Sequence, residues 1–134
     1  MTDRELMSMA KEASLNSYSP YSRFAVGAAL ECDDGSVYTG CNIENAALGD
    51  TICAERVACS KAVSEGHRSF RRIAVYADSQ NWCTPCGSCR QVMREMEDRY
   101  CNDMLVLLCG KDVVYRIRSA KELLPLSFVD AHMG

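Results

Sequence analysis

Three cysteines and a glutamate form the group of residues in this sequence with the clearest chemical potential. Cys53 is followed two positions later by Glu55, and Cys86 and Cys89 form a C-x-x-C pair directly after Pro85. Thiolates bind Zn²⁺, and two cysteines at this spacing can hold one ion around a first helical turn. Cys53 would close the site from a separate segment. Three protein ligands leave the fourth tetrahedral position open, which is typical of a catalytic zinc and not of a structural one.

The residues beside these cysteines indicate how such a site would work. Glu55 is close enough to Cys53 to reach whatever occupies the open position without binding the metal itself. It is therefore the candidate acid/base, which would carry protons from a metal-activated water to a ring and a leaving amine. Three thiolates and Zn²⁺ together carry a charge of about −1, which favours a compensating cation nearby. Arg56 and Arg90 are the candidates, along with the positive ends of two helices.

The C-x-x-C pair alone has other interpretations. It could be a redox pair or one half of a structural zinc site. The C-x-E sequence at Cys53 to Glu55 favours catalysis, because C-x-E followed by P-C-x-x-C is the arrangement typical of zinc-dependent nucleobase deaminases.

The elements that would position these residues follow from periodicity and turn signals. Cys53 and Cys86 are each predicted to lie at the start of a helix, where unpaired N–H groups and partial positive charge stabilise a thiolate. Val92, Met93 and Met96 form the apolar face of the second of these helices. The predicted order is a helix at 3–16, strands at 24–32 and 36–41 around the turn Asp33-Asp34-Gly35, a helix from near Cys53 to Gly66, a strand at 71–78, a helix after Pro85, strands at 104–109 and 113–117, and a short final helix. Helices alternating with strands predict an α/β sandwich with a mixed sheet.

Length and composition limit the classes of protein. The chain has 134 residues, 48% hydrophobic and 25% charged, which fits one domain over 1–134. The net charge of −3 and the absence of a basic run longer than Arg71-Arg72 argue against a nucleic-acid partner. No apolar stretch has the length of a membrane span or of a signal-peptide core. We therefore expect a cytoplasmic protein with a small-molecule substrate.

The nine cysteines of the chain do not predict a disulfide scaffold, because their number is odd and no export signal precedes them. Cys83 lies in the loop before the C-x-x-C pair, and its role stays open. Five others lie in predicted strands or helices and are expected to be small buried apolar residues: Cys32, Cys41, Cys59, Cys101 and Cys109.

The sequence closely resembles the small, homotetrameric, zinc-dependent cytidine deaminases over essentially its whole length. The segments PYSRFAVGAAL, GCNIENA, TICAERVA, PCGSCRQV and LLPLSF follow the order and spacing of that family. The resemblance implies a three-layer α/β/α sandwich with a mixed five-stranded sheet, and a homotetramer whose sites are shared between subunits. It also implies one zinc ion per chain on Cys53, Cys86 and Cys89, proton transfer by Glu55, and bonding of Arg56 to the ligand thiolates.

The resemblance further implies a set of substrate contacts. Asn42 and Glu44 would hold a ribose hydroxyl, Phe24 would line the nucleoside pocket, and the backbone around Ala54 would meet the pyrimidine. Phe128 would pack over the base in a neighbouring subunit's site. From residue type alone, Asn42 is better explained as a turn cap, and the two phenylalanines as core residues.

The expected reaction is hydrolytic deamination of cytidine and deoxycytidine to uridine and deoxyuridine, with release of ammonia, in pyrimidine salvage. Zinc is the only cofactor that this chemistry needs. One departure from the family is Leu48, where relatives commonly carry a tyrosine that helps to position the nucleoside across a subunit boundary.

Three other functions share some of these features. A deaminase of a cytosine-nucleoside antibiotic such as blasticidin S would carry the same zinc motifs, but the N-x-E-N segment at residues 42–45 favours ribose. A polynucleotide-editing deaminase requires a positively charged channel for its strand. A non-catalytic zinc module would not require Glu55 beside an open metal position.

Overall fold

The computed structural model describes residues 1–133, in which helices and strands follow one another in the order expected from the sequence. In chain order they are α1 (Asp3–Ala13), β1 (Val26–Cys32), β2 (Val37–Cys41), α2 (Ala54–Ser64), β3 (Phe70–Ala77), α3 (Gly87–Tyr100), β4 (Leu105–Cys109) and β5 (Val114–Ile117). Short 3₁₀ turns cover Ser14–Asn16, Leu48–Asp50, Ala120–Leu123 and Asp130–His132. The short final helix predicted after residue 117 is thus a 3₁₀ turn.

The strands form one sheet in the order β2-β1-β3-β4-β5. β3 and β4 run parallel, and the other neighbouring pairs are antiparallel. The predicted hairpin between β1 and β2 turns at Gly35, whose φ of 89° lies in the left-handed region that glycine adopts without strain. The sheet is therefore mixed and five-stranded, as predicted.

Helices cover the sheet on both faces. On one face, Leu6 and Ala10 of α1 pack against Ala29, Ala74 and Leu107 of the three central strands. On the other face, Ala58 of α2 and Met93 of α3 pack over a second core that includes the strand residues Leu30, Ile73 and Val75. Because successive strand residues point to opposite faces, one sheet supplies both cores. The three-layer α/β/α architecture is confirmed.

A close approach between α2 and β2 fixes where the second helix begins. A β-carbon on Gly40 of β2 would lie 2.4 Å from the carbonyl oxygen of Ala54 and 2.7 Å from the backbone nitrogen of Ala58. Only glycine leaves room for the helix at this distance. The start of α2, and with it Cys53, is therefore set directly against the edge strand.

The prediction of buried cysteines is confirmed at Cys32, Cys59 and Cys109 and is wrong at Cys101. Cys101 is exposed because it ends α3 in a left-handed conformation, with φ of 51°, where the chain turns away from the sheet. Cys41 is only partly buried, because it is the last residue of an edge strand.

Cys83, whose role the sequence leaves open, packs partly buried against the core that α2 and α3 cover. Burial raises the pKa of its thiol to about 11. Within residues 1–133, no helix combines the length and the apolar character needed to cross a bilayer.

Candidate metal centre

The starts of α2 and α3 bring three cysteine sulfurs together. Cys53 and Cys86 are the N-cap residues of the two helices, and Cys89 lies in the first turn of α3. The sulfur of Cys86 is 3.6 Å from that of Cys53 and 3.6 Å from that of Cys89, and all three lie within 4.8 Å of one another. Two thiolates at a Zn–S distance of about 2.3 Å and a tetrahedral angle would be about 3.8 Å apart. The spacing therefore fits zinc, and these residues could hold one metal ion.

The electrostatics of the cluster favour anionic sulfur at Cys53. The pKa of Cys53 is lowered to about 5, mainly by a hydrogen bond with Cys89 and further by Arg56, against the opposing effect of burial. The pKa of Cys89 is raised, first because its thiol makes the same hydrogen bond and then because it is buried. The N-termini of α2 and α3 add partial positive charge at this place.

Glu55 lies in the first turn of α2 and is buried, with 4% of its surface exposed. Burial raises the pKa of its carboxyl group to about 7, and the negative charge of Cys53 acts in the same direction. A carboxyl group with a pKa near neutrality can both accept and release a proton at the pH of the cell. Its position beside the sulfurs gives it the properties of a general acid/base.

Arg56 faces the sulfurs from the same helical turn. Its Nη2 donates to the sulfur of Cys53 at 3.6 Å and to the carbonyl oxygen of Thr51 at 3.3 Å. The hydrogen bond to Cys53 raises the pKa of the guanidinium. Arg56 therefore carries a positive charge in contact with a candidate ligand.

The second candidate cation, Arg90, has different hydrogen-bond partners. Its guanidinium donates to the carbonyl oxygens of Pro85 and Leu123, both at 2.8 Å, and to no sulfur in the described part of the chain. Arg90 follows Cys89 directly, but the helical turn points its side chain toward the C-terminal part of the chain. Of the two candidate cations, Arg56 therefore makes a hydrogen bond to a cluster sulfur and Arg90 is bonded to backbone carbonyl groups.

Asn42 is buried and belongs to a segment whose backbone pairs with the residue before Cys53. Ile43 and Ile52 exchange two backbone hydrogen bonds of 2.9 Å, which sets the 42–44 segment beside the residue before Cys53. The side chain of Asn42 accepts from the backbone N–H of Val26 at 3.0 Å and donates to the carbonyl oxygen of Phe24 at 2.8 Å. Asn42 therefore shapes the entry into β1 through contacts with residues 16 and 18 positions earlier, which differ from the local bond of a turn cap.

Glu44 holds the loop that precedes β1, at Tyr21 and Ser22. Its carboxylate accepts from the backbone N–H groups of Tyr21 at 2.9 Å and Ser22 at 3.1 Å, and from the Ser22 hydroxyl. The Ser22 hydroxyl lowers the pKa of Glu44 most strongly, so the carboxylate is ionised. The backbone N–H of Phe24 in turn donates to the Ser22 hydroxyl at 3.0 Å, which links Glu44 to the loop that presents the Phe24 ring.

The two phenylalanines are not core residues, contrary to the interpretation from residue type. Phe24 and Phe128 both expose about half of their surface, 47% and 55%. Ala54 is fully buried at the start of α2, and Leu48 is exposed in the loop before it. Two exposed aromatic rings and an exposed leucine are available for contacts outside the chain's own core.

Residues 1–115 match the family model described as the cytidine and deoxycytidylate deaminase zinc-binding region. The chain belongs to this family. Among its deaminase relatives, a cytidine deaminase of Sporosarcina psychrophila is 46% identical over 129 residues, which cover 96% of this chain and 92% of the relative. A cytidine deaminase of Halalkalibacterium halodurans is 56% identical over 95 residues, which cover 70% of this chain and 72% of the relative.

Solved structures of cytidine deaminases share the fold. The enzyme from Burkholderia pseudomallei superposes with a TM-score of 0.89 at 43% identity and covers 96% of this chain and 100% of its own. The enzyme from Mycobacterium tuberculosis gives a TM-score of 0.78 at 36% identity over 96% and 98% of the two chains. The cytidine deaminase fold thus extends over nearly the whole chain.

Two residues that the sequence patterns do not indicate contact the candidate site residues. Ser22 connects Glu44 to Phe24, and the carbonyl of Thr51 anchors Arg56. Ser22 belongs to the PYSRF segment that carries the family resemblance, so its position was a usable signal. The contact of Thr51 uses a backbone carbonyl group, which every residue has, so the residue type could not indicate it.

Proposed function

We propose that this protein catalyses the zinc-dependent hydrolytic deamination of cytidine and deoxycytidine to uridine and deoxyuridine, with release of ammonia. The observation that carries the proposal is the three-sulfur group of Cys53, Cys86 and Cys89 with the buried carboxyl group of Glu55 beside it. The family match and the relatives named cytidine deaminase support the same reaction.

In this proposal one zinc ion per chain is held by the thiolates of Cys53, Cys86 and Cys89. When bound, zinc supplies Lewis-acid activation of a water molecule at the position that the protein ligands leave open. Arg56 offsets the negative charge of the thiolates through its contact with Cys53. A smaller net negative charge keeps the activated water acidic enough to act near neutral pH.

Glu55 moves the protons of the reaction. It takes a proton from the attacking water and delivers it to N3 of the cytosine ring. It then takes the proton of the hydroxyl group formed on C4 and passes it to the departing amine, which leaves the C4 carbonyl of uridine and ammonia. Its pKa of about 7 suits both directions, because neither the protonated nor the ionised form is strongly disfavoured. Burial beside the sulfurs keeps bulk water from replacing it as proton donor.

The nucleoside is bound through its sugar and its base. We assign the ribose hydroxyl contact to Asn42 and Glu44, with the pyrimidine against the backbone at Ala54 and the nucleoside pocket lined by Phe24. Glu44 is ionised and held in place by Tyr21 and Ser22, which preorganises it to accept a hydrogen bond. Asn42 has a second amide hydrogen beyond the one given to Phe24, and among residues 1–133 no acceptor takes it, so it can be donated to a hydroxyl.

The active form is a homotetramer in this proposal, and Phe128 covers the base in a neighbouring subunit's site. The exposure of Phe24, Leu48 and Phe128 supports this arrangement, since a subunit interface would cover them. The enzyme would act in pyrimidine salvage in the cytoplasm, on free nucleosides and independently of nucleic acid and membranes. The net charge of −3 agrees with a small substrate.

The fall in ultraviolet absorbance that accompanies conversion of cytidine to uridine tests the function. Purified, zinc-loaded protein should convert cytidine and deoxycytidine, while free cytosine and blasticidin S, run in parallel, should react far more slowly. Turnover of blasticidin S in preference to cytidine would identify an antibiotic deaminase. No turnover of any of the four compounds by zinc-replete protein would favour the non-catalytic zinc module.

A further inference from the structure

Helix α3 carries candidate metal ligands at its start and also holds the last part of the chain. Residues 119–133, called here the C-terminal segment, run past α3 and include Phe128. Polar side chains of α3 make hydrogen bonds to this segment. The helix that binds the metal is therefore the same helix that presents Phe128.

Arg90 connects these two regions through one planar group. Its Nε donates to the carbonyl oxygen of Pro85 at 2.8 Å, and its Nη1 donates to the carbonyl oxygen of Leu123 at 2.8 Å. Pro85 is buried and directly precedes the ligand Cys86. Leu123 begins the LLPLSF segment that leads to Phe128. Because the donors of a guanidinium are fixed in one plane, the two carbonyl groups are held at a set distance from each other.

Two further side chains of α3 hold the C-terminal segment without touching the metal loop. Gln91 donates from Nε2 to the carbonyl oxygen of Phe128 at 2.8 Å. The buried carboxylate of Glu97 accepts from the backbone N–H groups of Ala120 at 2.6 Å and Lys121 at 3.0 Å. The segment is thus fixed at both ends on α3, and Arg90 adds the link to the loop before Cys86.

We propose that Arg90 is a positioning residue that couples the metal-ligand loop to the C-terminal segment, and so ties the metal of one site to the Phe128 ring that covers the base. The proposal rests on the proposed function for the role of Phe128. Arg90 touches neither a ligand sulfur nor the substrate, and it acts through the carbonyl groups of Pro85 and Leu123. Removal of the Arg90 guanidinium should therefore weaken both the retention of the metal and the binding of the substrate.

Arg90→Met tests this coupling, because it keeps an apolar stem of similar length and removes the donors. We expect KM for cytidine to rise about tenfold with kcat changed less than about threefold, since a displaced Phe128 removes binding shared by ground state and transition state. Zinc release to an added chelator should become faster, because the loop before Cys86 loses its support. Amide hydrogen exchange in residues 119–133 should also become faster.

Two variants serve as controls. Arg99→Met makes the same substitution on the same helix, where the arginine reaches Asp130 only through an exposed ion pair of 3.4 Å. Such an exposed pair contributes little to stability, so KM, zinc release and hydrogen exchange should stay near those of the unsubstituted protein. Arg90→Lys keeps the positive charge without the planar pair of donors and should show the changes of Arg90→Met in the same direction. If Arg90→Lys behaved as the unsubstituted protein, Arg90 would act by charge, and the proposal would be overturned.

Other results for Arg90→Met also decide whether Arg90 couples the two regions. Unchanged KM together with unchanged zinc release in Arg90→Met would overturn the coupling. A lower kcat at constant KM, in proportion to lost zinc, would show a purely structural role and would overturn it as well. If Arg90→Met fails to fold, Arg90→Lys carries the same three measurements. If the unsubstituted protein does not deaminate cytidine, the proposed function fails, whereas zinc release and hydrogen exchange still test the coupling.

Discussion

The guanidinium of Arg56 donates to the sulfur of Cys53 at 3.6 Å within the first turn of α2. This contact places a full positive charge against a cluster of three candidate thiolates. The pKa of Cys53 is lowered mainly by its hydrogen bond with Cys89, and the cation of Arg56 adds to the stabilisation of ionised sulfur. It also sets how much negative charge the metal centre presents to the reacting water.

Arg56→Gln should therefore change the pH dependence of the reaction. Without the cation, the thiolate charge is less compensated, and the pKa of the activated water rises. The acidic limb of the pH–rate profile should move upward by about half a unit to one unit, the equivalent of about 0.7 to 1.4 kcal/mol. Lys61→Gln is the matched control, because it removes a positive charge from the same helix at a side chain that contacts only the Thr39 carbonyl among its hydrogen-bond partners. An unshifted limb in Arg56→Gln would contradict charge compensation.

The three-sulfur group predicts about one tightly held zinc per chain, because two helix starts preorganise soft ligands at the right spacing. Elemental analysis of metal-replete protein should find it. The double variant Cys86→Ala, Cys89→Ala should lose the zinc, because one thiolate cannot retain the ion. Cys101→Ala, at the other end of the same helix, should keep it, since Cys101 is exposed and distant from the cluster in sequence. Retention of zinc by the double variant would show that the ligand assignment is wrong.

Glu55→Ala should keep its zinc and lose most of its activity, since Glu55 is not a ligand and performs successive proton transfers. Each such transfer typically contributes about 10²- to 10⁴-fold, so kcat should fall by several orders of magnitude. Glu55→Gln fills the same buried space and should be as inactive, which separates proton transfer from packing. Glu65→Gln, at the exposed end of α2, is the control for removal of a carboxylate from this helix. Near-normal turnover by Glu55→Gln would exclude the residue as proton carrier.

Assembly of the active site from two subunits can be tested by mixing two kinds of defective chain at a cytidine concentration well below KM. A Phe128→Ala chain and a Glu55→Ala chain should each be defective, but hybrid oligomers contain some sites with both intact residues. Partial recovery of activity is expected if the exposed Phe128 ring enters a neighbour's pocket. The same mixing with Glu55→Ala chains alone is the control. Proven hybrids without recovery would place Phe128 in the site of its own subunit.

The meeting of the three cysteine sulfurs could be predicted because the sequence signals for it are local. Cys53 and Cys86 precede helical periodicity, and the C-x-x-C spacing of Cys86 and Cys89 is a property of one helical turn. The order of helices and strands in turn required that both helix starts lie at the carboxyl end of β3. Zinc chemistry then followed from the types of residue that meet there.

The partners of Arg90 could not be predicted for the opposite reason. Its acceptors are backbone carbonyls of Pro85 and Leu123, one of them 33 residues away, and a carbonyl is the same group in every residue. The exposure of Cys101 had a similar cause, since the left-handed conformation that ends α3 depends on how the chain leaves the helix. Tertiary geometry decided both, and periodicity carries no information about it.

The ribose contact gives the last prediction, because it separates a nucleoside deaminase from its rivals. Glu44 is an ionised carboxylate, and a charge-assisted hydrogen bond from a hydroxyl common to both nucleosides, the 3′-OH, would be worth about 1.5 to 3 kcal/mol. Glu44→Ala should therefore lower kcat/KM for cytidine and deoxycytidine about ten- to a hundredfold, with zinc content unchanged. Free cytosine, which lacks the sugar, should react almost not at all with the unsubstituted enzyme.

Glu44 also orders the loop at Tyr21 and Ser22, so the two roles must be distinguished. Ser22→Ala removes the hydroxyl contact to Glu44 and leaves the carboxylate in place, and its kcat/KM should fall much less than that of Glu44→Ala. Inhibition by the products gives a second separation, because uridine carries the sugar and uracil does not. Glu44→Ala should weaken inhibition by uridine and leave inhibition by uracil unchanged. If inhibition by uridine and by uracil weakened equally, Glu44 would act on the loop and not on the ribose. Rapid turnover of free cytosine by the unsubstituted enzyme would indicate a site that recognises the base alone.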